Sequence, residues 1–340
     1  MLVILRSGAS EKVIEQVVTR IEMLGFRAHI SKGEFRTIIG AIGEENAAFP
    51  EQLLSIDGVE NVVPIMRPYK LASRDFHPEG SQVEVGDVKI GCGGYALIAG
   101  PCAVEDRESC LEIAKAVKHS GANMLRGGAF KPRSSPYSFQ GLGEEGLKIL
   151  CDCGKKCSLP VVTEVTDPRN VELVCRYADM LQIGARNMQN FVLLSEVGKT
   201  HKPILLKRGP SSTVKDWLMS AEYILNEGNN QVVLCERGSQ GFEREMRFTL
   251  DIGAIVLAKS NSHLPVIVDP SHASGRRDLV TKLALAGLAA GADGMIVEVH
   301  TCPDKAKCDG PQALTDRMFD DLMQQVKEGL SFVDGSTRSE

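Results

Sequence analysis

Residues 264–300 read LPVIVDPSHASGRRDLVTKLALAGLAAGADGMIVEVH, and this stretch decides the fold. A short apolar run, LPVIV, gives way to a turn carrying Asp269 and His272. A helical pattern, DLVTKLALAGLAAGA, follows and ends near a glycine, and a second apolar run, GMIVEVH, begins. Strand, crossover helix and parallel strand make one repeating unit. Working outward, the same unit recurs from Tyr95 onward as ALIAGPCA, NMLRGGAF, LPVVTEV, DMLQIGA, KPILLKRG and NQVVLCERG, each followed by a helical stretch. Eight units in about 240 residues match a (β/α)8 barrel in number and size. The competing α/β architecture, an open doubly wound sheet, is disfavoured because no GxGxxG follows an early strand.

Ahead of the barrel the pattern differs. LVILR, EKVIEQVVTRIEML behind Ser10 as its cap, RAHIS, RTIIGAIG, FPEQLLSI and VENVVPI run β-α-β-β-α-β, the ferredoxin-like order of a small α+β domain over residues 1–66. RPYKLASRDFHPEGS has linker composition. QVEV-GD-VKIG reads as a hairpin turning at Gly86-Asp87, placed where it could plug the N-terminal mouth of the barrel. The expected division is therefore 1–66, a linker and hairpin at 67–92, and a barrel at 93–334.

Composition sets outer limits. The 340 residues are 43% hydrophobic and 24% charged, enough for one large domain and a small one. A net charge of −5 excludes nucleic-acid binding through a basic surface, so positive potential for anionic ligands must be local. No 18-residue apolar stretch and no signal-peptide pattern stand out, so the expected compartment is the cytosol with no membrane partner. Ten cysteines then read as thiols or metal ligands rather than a disulfide framework.

Barrel chemistry sits at the C-terminal ends of the strands. The richest of these ends is Arg126-Gly-Gly-Ala-Phe-Lys131-Pro-Arg133-Ser134-Ser-Pro-Tyr137, three cations and two serine hydroxyls with no carboxylate among them. Guanidinium forks and an ammonium gathered this way suit a polyanion bearing phosphate and carboxylate groups. The other strand ends supply Cys102, Glu164, Arg186, Lys207 with Arg208, Arg237, Asp269 with His272, and Glu298 with His300, while Asp309 lies in the last loop. Cations from four strands aimed at one rim predict two anionic groups, or two anionic substrates, side by side. Cys102, His272, Glu298 and Asp309 fall on strands one, seven and eight, which are neighbours once a barrel closes. A thiolate, an imidazole and two carboxylates suit a divalent first-row metal with an open position. Cys151-x-Cys153-x3-Cys157 lacks the second pair a zinc ribbon needs and reads as helix-core and surface thiols.

GPCAVE, LRGGAFKPRSSPYSFQGLG, QIGARNMQNF, LLKRG, CERG, VDPSHASGRRDLV and GMIVEVH…DGPQAL together resemble 3-deoxy-D-arabino-heptulosonate 7-phosphate (DAHP) synthases of the subgroup with a ferredoxin-like regulatory domain. The resemblance covers nearly the whole chain. It implies condensation of phosphoenolpyruvate with erythrose 4-phosphate and water, giving the seven-carbon keto-sugar phosphate and phosphate, at the entry to aromatic amino acid synthesis. The related 3-deoxy-octulosonate 8-phosphate synthases typically carry Lys-Ala-Asn-Arg-Ser where this chain has Lys131-Pro132-Arg133-Ser134, so erythrose 4-phosphate is expected over arabinose 5-phosphate. A barrel that has lost catalysis and serves as an amino-acid sensor is the third reading. It is disfavoured because no metal ligand is lost.

By the same resemblance Arg186, beside Ala185, and Arg237 hold the phosphate of phosphoenolpyruvate, and Arg126, Lys131 and Lys207 surround its carboxylate. Arg133 and Ser134 hold the aldose phosphate. Lys131, Glu164 and Asp269 remain open as the group that handles protons. The metal on Cys102, His272, Glu298 and Asp309 is expected to be manganese, with iron, cobalt and zinc as alternatives. His29 and Ser31 resemble the region that binds an aromatic amino acid, Tyr or Phe, and a homotetramer is implied. The last loop departs from the family, which usually has Pro and Ser at the positions of Thr301 and Cys308, so Cys302 and Cys308 are expected to bear on metal preference and redox stability.

Overall fold

The computed structural model describes residues 1–33, 36–42, 49–63, 68–132 and 135–336. Backbone packing divides the chain into Met1–Ser81 with Ser260–His263, and Gln82–Lys259 with Leu264–Glu340.

In the first unit, strands β1 (Leu2–Leu5), β2 (Arg27–Lys32), β3 (Thr37–Ile42) and β4 (Val59–Val63) form an antiparallel sheet ordered β2-β3-β1-β4. Helices Glu11–Met23 and Phe49–Leu54 complete the ferredoxin-like order. The longer helix buries Ile14, Val17 and Ile21, one stripe at helical spacing, in a cluster with Val3, Leu5, Ile39 and Leu53. Ser10 occupies the cap position of that helix, but its side chain makes no capping hydrogen bond. Pro64 and Ile65, the expected end of the last strand, lie outside the described residues.

His263 ties the segment after the sheet to Ser260–His263. Leu71 O can only accept, so His263 Nε2 carries the proton and donates to it at 2.6 Å, leaving Nδ1 to accept from Ser81 Oγ at 2.7 Å. Burial, with His77 and Arg74 nearby, lowers the His263 pKa to about 4, although the Leu71 bond opposes the shift. A base whose folded pKa lies below its unfolded value adds stability that is full above about pH 6.5 and fades as pH falls toward 4, about 3 kcal/mol in all. Thermal unfolding of the full chain and of His263→Leu between pH 7 and 4 checks this. The acid-sensitive difference between them should shrink as pH falls, and parallel curves would refute it.

In the second unit, β7 (Ala96–Gly100), β8 (Met124–Arg126), β9 (Val161–Glu164), β10 (Met180–Ile183), β11 (Ile204–Lys207), β12 (Val232–Glu236), β13 (Val266–Val268) and β14 (Gly294–Glu298) close into an eight-stranded parallel barrel. β14 pairs with β7 and closes the ring, so strands one, seven and eight are neighbours. The strands are largely apolar up to their C-terminal ends because both faces are buried. At the N-terminal ends, Asn123, Asp179, Asn229 and Asp293 accept from the backbone N–H of Leu97, Val161, Gln231 and Val266, satisfying groups the barrel rim would otherwise strand.

The hairpin β5 (Val83–Val85) and β6 (Val88–Ile90) turns at Gly86-Asp87, where Gly86 takes φ 58°. Its Val83, Val85, Val88 and Ile90 share one buried cluster with Ala96, Met124, Met180 and Ile267 from the early parts of barrel strands. The N-terminal mouth is thereby filled and the opposite mouth left for chemistry. Among the described residues no helix is long and apolar enough to cross a membrane.

Candidate active site

A cleft of about 220 Å³ opens at the C-terminal ends of the barrel strands. Lys131, Glu164, Ala185, Arg186, Lys207 and Arg237 border it, as do His272 and Asp309. Strand register explains the convergence. Glu298 is level with Gly100, two residues before Cys102, and Gln182 is level with Glu164, whose Oε2 accepts from Gln182 Nε2 at 3.4 Å. Gly184, directly after β10, leaves room for the Glu164 carboxylate, since a β-carbon there would meet Oε1 unless that side chain shifted.

Arg126 ends β8 and is 4% exposed. One of its terminal nitrogens lies 3.2 Å from Glu298 Oε1 and 3.4 Å from Cys102 O, while Nε and the other terminal nitrogen have no partner among the described residues. Buried guanidinium N–H groups without acceptors are costly, so the site is built for an anion to complete them. Lys207 ion-pairs with Asp269. Arg237 stacks its guanidinium 4.5 Å over the Phe248 ring, and burial lowers its pKa below the usual arginine value. Arg186 is exposed at the rim. Arg208, expected among the rim cations, instead pairs with Glu236 at 2.9 Å and Asp251 at 3.0 Å, because successive residues leave a strand in opposite directions. Its charge is spent on structure. Arg133 and Ser134 lie outside the described residues.

The donor set assembles beside these cations. His272, Glu298 and Asp309 present atoms within 4.8 Å of one another, and so do Cys102, Cys308 and Asp309. Glu298 Oε1 is buried without a hydrogen-bond donor and lies 3.4 Å from His272 Nε2, while its Oε2 accepts from Gln312 Nε2 at 2.7 Å. Asp269 Oδ2 sits 2.8 Å from His272 Nδ1 and its Oδ1 accepts from His272 N at 2.9 Å, which fixes the ring with Nε2 toward Glu298. A carboxylate behind one imidazole nitrogen is the usual support of a ligating histidine. The orphaned carboxylate oxygen, the aimed imidazole and the soft sulfur all fit a divalent first-row metal.

Electrostatics keep the three carboxylates ionised, whereas the Cys308 contact, burial and Glu298 push the Cys102 thiol well above its ordinary value. Complete burial pushes the Glu298 carboxyl up, but His272, Arg126 and Lys131 hold it below its ordinary value. Burial likewise opposes ionisation of Asp269, which His272 and Lys207 overcome, and of Asp309, which His272, Arg247 and Lys131 overcome. Burial lowers the His272 pKa, while Asp269 and Glu298 act in the opposite direction. Lys131 Nζ donates to Cys102 O and lies 3.1 Å from Cys102 Sγ. Burial alone would lower the ammonium, but Cys102, Cys308 and Glu298 raise its pKa.

Two features escaped the sequence. Arg247 sits 3.8 Å from Asp309 Oδ2 and lines the cleft with Phe248, yet both come from the long loop after β12, where nothing marks one arginine above another. Gln312 was inside a quoted motif without a role. Cys308 reaches Cys102, whereas Cys302 is exposed and belongs to neither donor group. Cys151, Cys153 and Cys157 all lie within the helix Glu144–Cys157 and join no donor group among the described residues. His300 turns away, accepting from Cys302 N at 3.0 Å.

His29 and Ser31 share one face of β2, His29 opposite Gly40 and Ser31 opposite Ile38. Arg27 donates to His29 Nε2 at 3.1 Å. Ser31 borders a cavity of about 260 Å³ within the first unit, together with Arg36, Phe76 and Glu79, and His29 is not part of its lining.

A barrel with this plug, cationic cleft and donor set is a (β/α)8 enzyme fitted to small phosphorylated anions. Residues 71–331 match the DAHP synthetase I family and residues 1–67 the DAHP synthase ferredoxin-like domain, and the chain belongs to that family. It is 50% identical over 328 residues to a phospho-2-dehydro-3-deoxyheptonate aldolase of Thermotoga maritima, covering 96% of this chain and 97% of that protein. A crystal structure of a phospho-2-dehydro-3-deoxyheptonate aldolase (DAHP synthase) from Thermotoga maritima matches with TM-score 0.77 at 49% identity, over 98% of this chain and 97% of that one. A 2-dehydro-3-deoxyphosphooctonate aldolase of Desulfatibacillum aliphaticivorans is 34% identical over 266 residues, covering 71% of this chain and 94% of that protein.

Proposed function

We propose that the chain condenses phosphoenolpyruvate with erythrose 4-phosphate and water to give DAHP and phosphate, with its cleft residues in the following roles. The observation that carries the reading is Arg126, a buried guanidinium with two unfilled N–H groups beside the donor set. Arg186 and Arg237 take the phosphate of phosphoenolpyruvate, and Arg126 with Lys207 takes its carboxylate. Arg133 and Ser134 hold the aldose phosphate. Cys102, His272, Glu298 and Asp309 would hold a divalent metal, manganese first among the candidates, which supplies Lewis-acid polarisation of the aldehyde carbonyl or orients the water.

C3 of the enol attacks the aldehyde carbon, and the former carbonyl oxygen gains a proton. Water adds at C2 as positive charge develops there and loses its proton. The C2–O bond to phosphate then breaks, the remaining C2 hydroxyl gives its proton to the departing phosphate, and the ketone is left. Lys131, held as an ammonium, delivers the first proton, and Glu164 at the cleft wall receives the second. Asp269, with both oxygens engaged by Lys207 and His272, serves to position the imidazole. The reading extends to a cytoplasmic homotetramer whose 1–66 domain takes Tyr or Phe on the face carrying His29 and Ser31 and lowers turnover.

One set of initial rates tests the scheme. Erythrose 4-phosphate should outpace arabinose 5-phosphate by at least about a hundredfold, the scale expected when buried polar groups lose their partner. Millimolar Tyr or Phe should slow the full chain and leave a chain lacking residues 1–66 untouched. Equal rates with both aldoses would overturn the substrate assignment, and indifference of the full chain to both amino acids would overturn the regulatory one.

A further inference from the structure

Cys308 stands outside the four-residue donor set, yet its Sγ lies 3.2 Å from Cys102 Sγ. The two sulfurs and an Asp309 carboxylate oxygen all fall within 4.8 Å of one another. Both cysteines are 4% exposed and pack with Ala103 against Phe139. Side chains of consecutive residues in extended chain point to opposite sides. Here Asp309 takes the left-handed φ of 51°, and the turn lets Cys308 and Asp309 face Cys102 together. Asp309 also belongs to the His272–Glu298 group, so the two donor groups meet at its carboxylate.

We propose that Cys308 is a second thiolate donor to the metal, so that the ion is held by two sulfurs, one imidazole and carboxylate oxygens. The inference rests on the metal reading above. Each thiol gives its proton to solvent as it ligates. Two thiolates and two carboxylates around a divalent ion leave an excess of negative charge. Lys131 at 3.1 Å from Cys102 Sγ, Arg126 at 3.2 Å from Glu298 and Arg247 at 3.8 Å from Asp309 offset it. A second soft ligand shifts preference toward zinc, cadmium and cobalt and away from manganese, which favours oxygen donors.

The test uses the full-length protein loaded with cobalt(II), whose thiolate-to-metal charge-transfer band in the near ultraviolet counts the sulfurs bound. Cys308→Ser, a substitution of nearly equal size, should leave about half the wild-type intensity and weaken zinc binding at least about tenfold while changing manganese binding less. Cys102→Ser should likewise leave about half the band. An undiminished band in Cys308→Ser, with Cys102→Ser removing all of it, means one sulfur and overturns the proposal while sparing the metal reading. A wild-type protein that takes up no cobalt overturns both.

Discussion

Arg126→Ala should lower kcat/KM for phosphoenolpyruvate by about a thousandfold, close to 4 kcal/mol, the scale for removing one partner of a buried charged contact. Two losses combine. The ligand loses the two N–H groups that no other described residue fills, and Glu298 loses the cation at 3.2 Å that helps keep it ionised in a fully buried place. Arg126→Lys should recover only part of the loss, because an ammonium restores charge without the planar fork. Steady-state rates with phosphoenolpyruvate varied at saturating aldose measure both. A loss below tenfold in the alanine variant would remove Arg126 from the substrate site.

Exhaustive chelation should lower turnover at least about a thousandfold, and manganese or another divalent first-row ion should restore it. Glu298 Oε1, His272 Nε2 and an Asp309 oxygen converge within 4.8 Å, and Asp269 fixes the imidazole that serves them. Cys102→Ser should lose its ion more readily, since a neutral hydroxyl replaces a thiolate. Metal content and rate measured on the same samples decide the matter. Undiminished turnover in protein shown to be metal-free would sink the assignment.

The barrel was legible in residues 264–300 because strand and helix periods, and the turns between them, are local properties of the chain. Strand-end residues followed from the same periods. Cys102, Glu164, Lys207, Asp269, His272 and Glu298 could be named before any packing was known, and the ring order that makes β13, β14 and β7 neighbours followed from closure alone. The ferredoxin-like order was equally local.

Direction and reach were not local. Lys207 and Arg208 leave the strand on opposite sides, but only the closed barrel decides which side is the cleft and brings Glu236 and Asp251 to the other. Arg247 and Phe248 enter through a loop whose path is set by contacts with the chain after β13, where Arg247 N donates to Ser274 O and Phe248 N to Ala273 O. Cys302 and Cys308 looked equivalent in sequence. A left-handed residue at 309 and burial against Ala103 and Phe139 bring one sulfur to Cys102, while the other stays in solvent. Periodicity names the residues that arrive at the rim, and the closed, twisted sheet and its long loops decide which of them meet, because those contacts join residues that belong to different strands and loops, well separated along the chain.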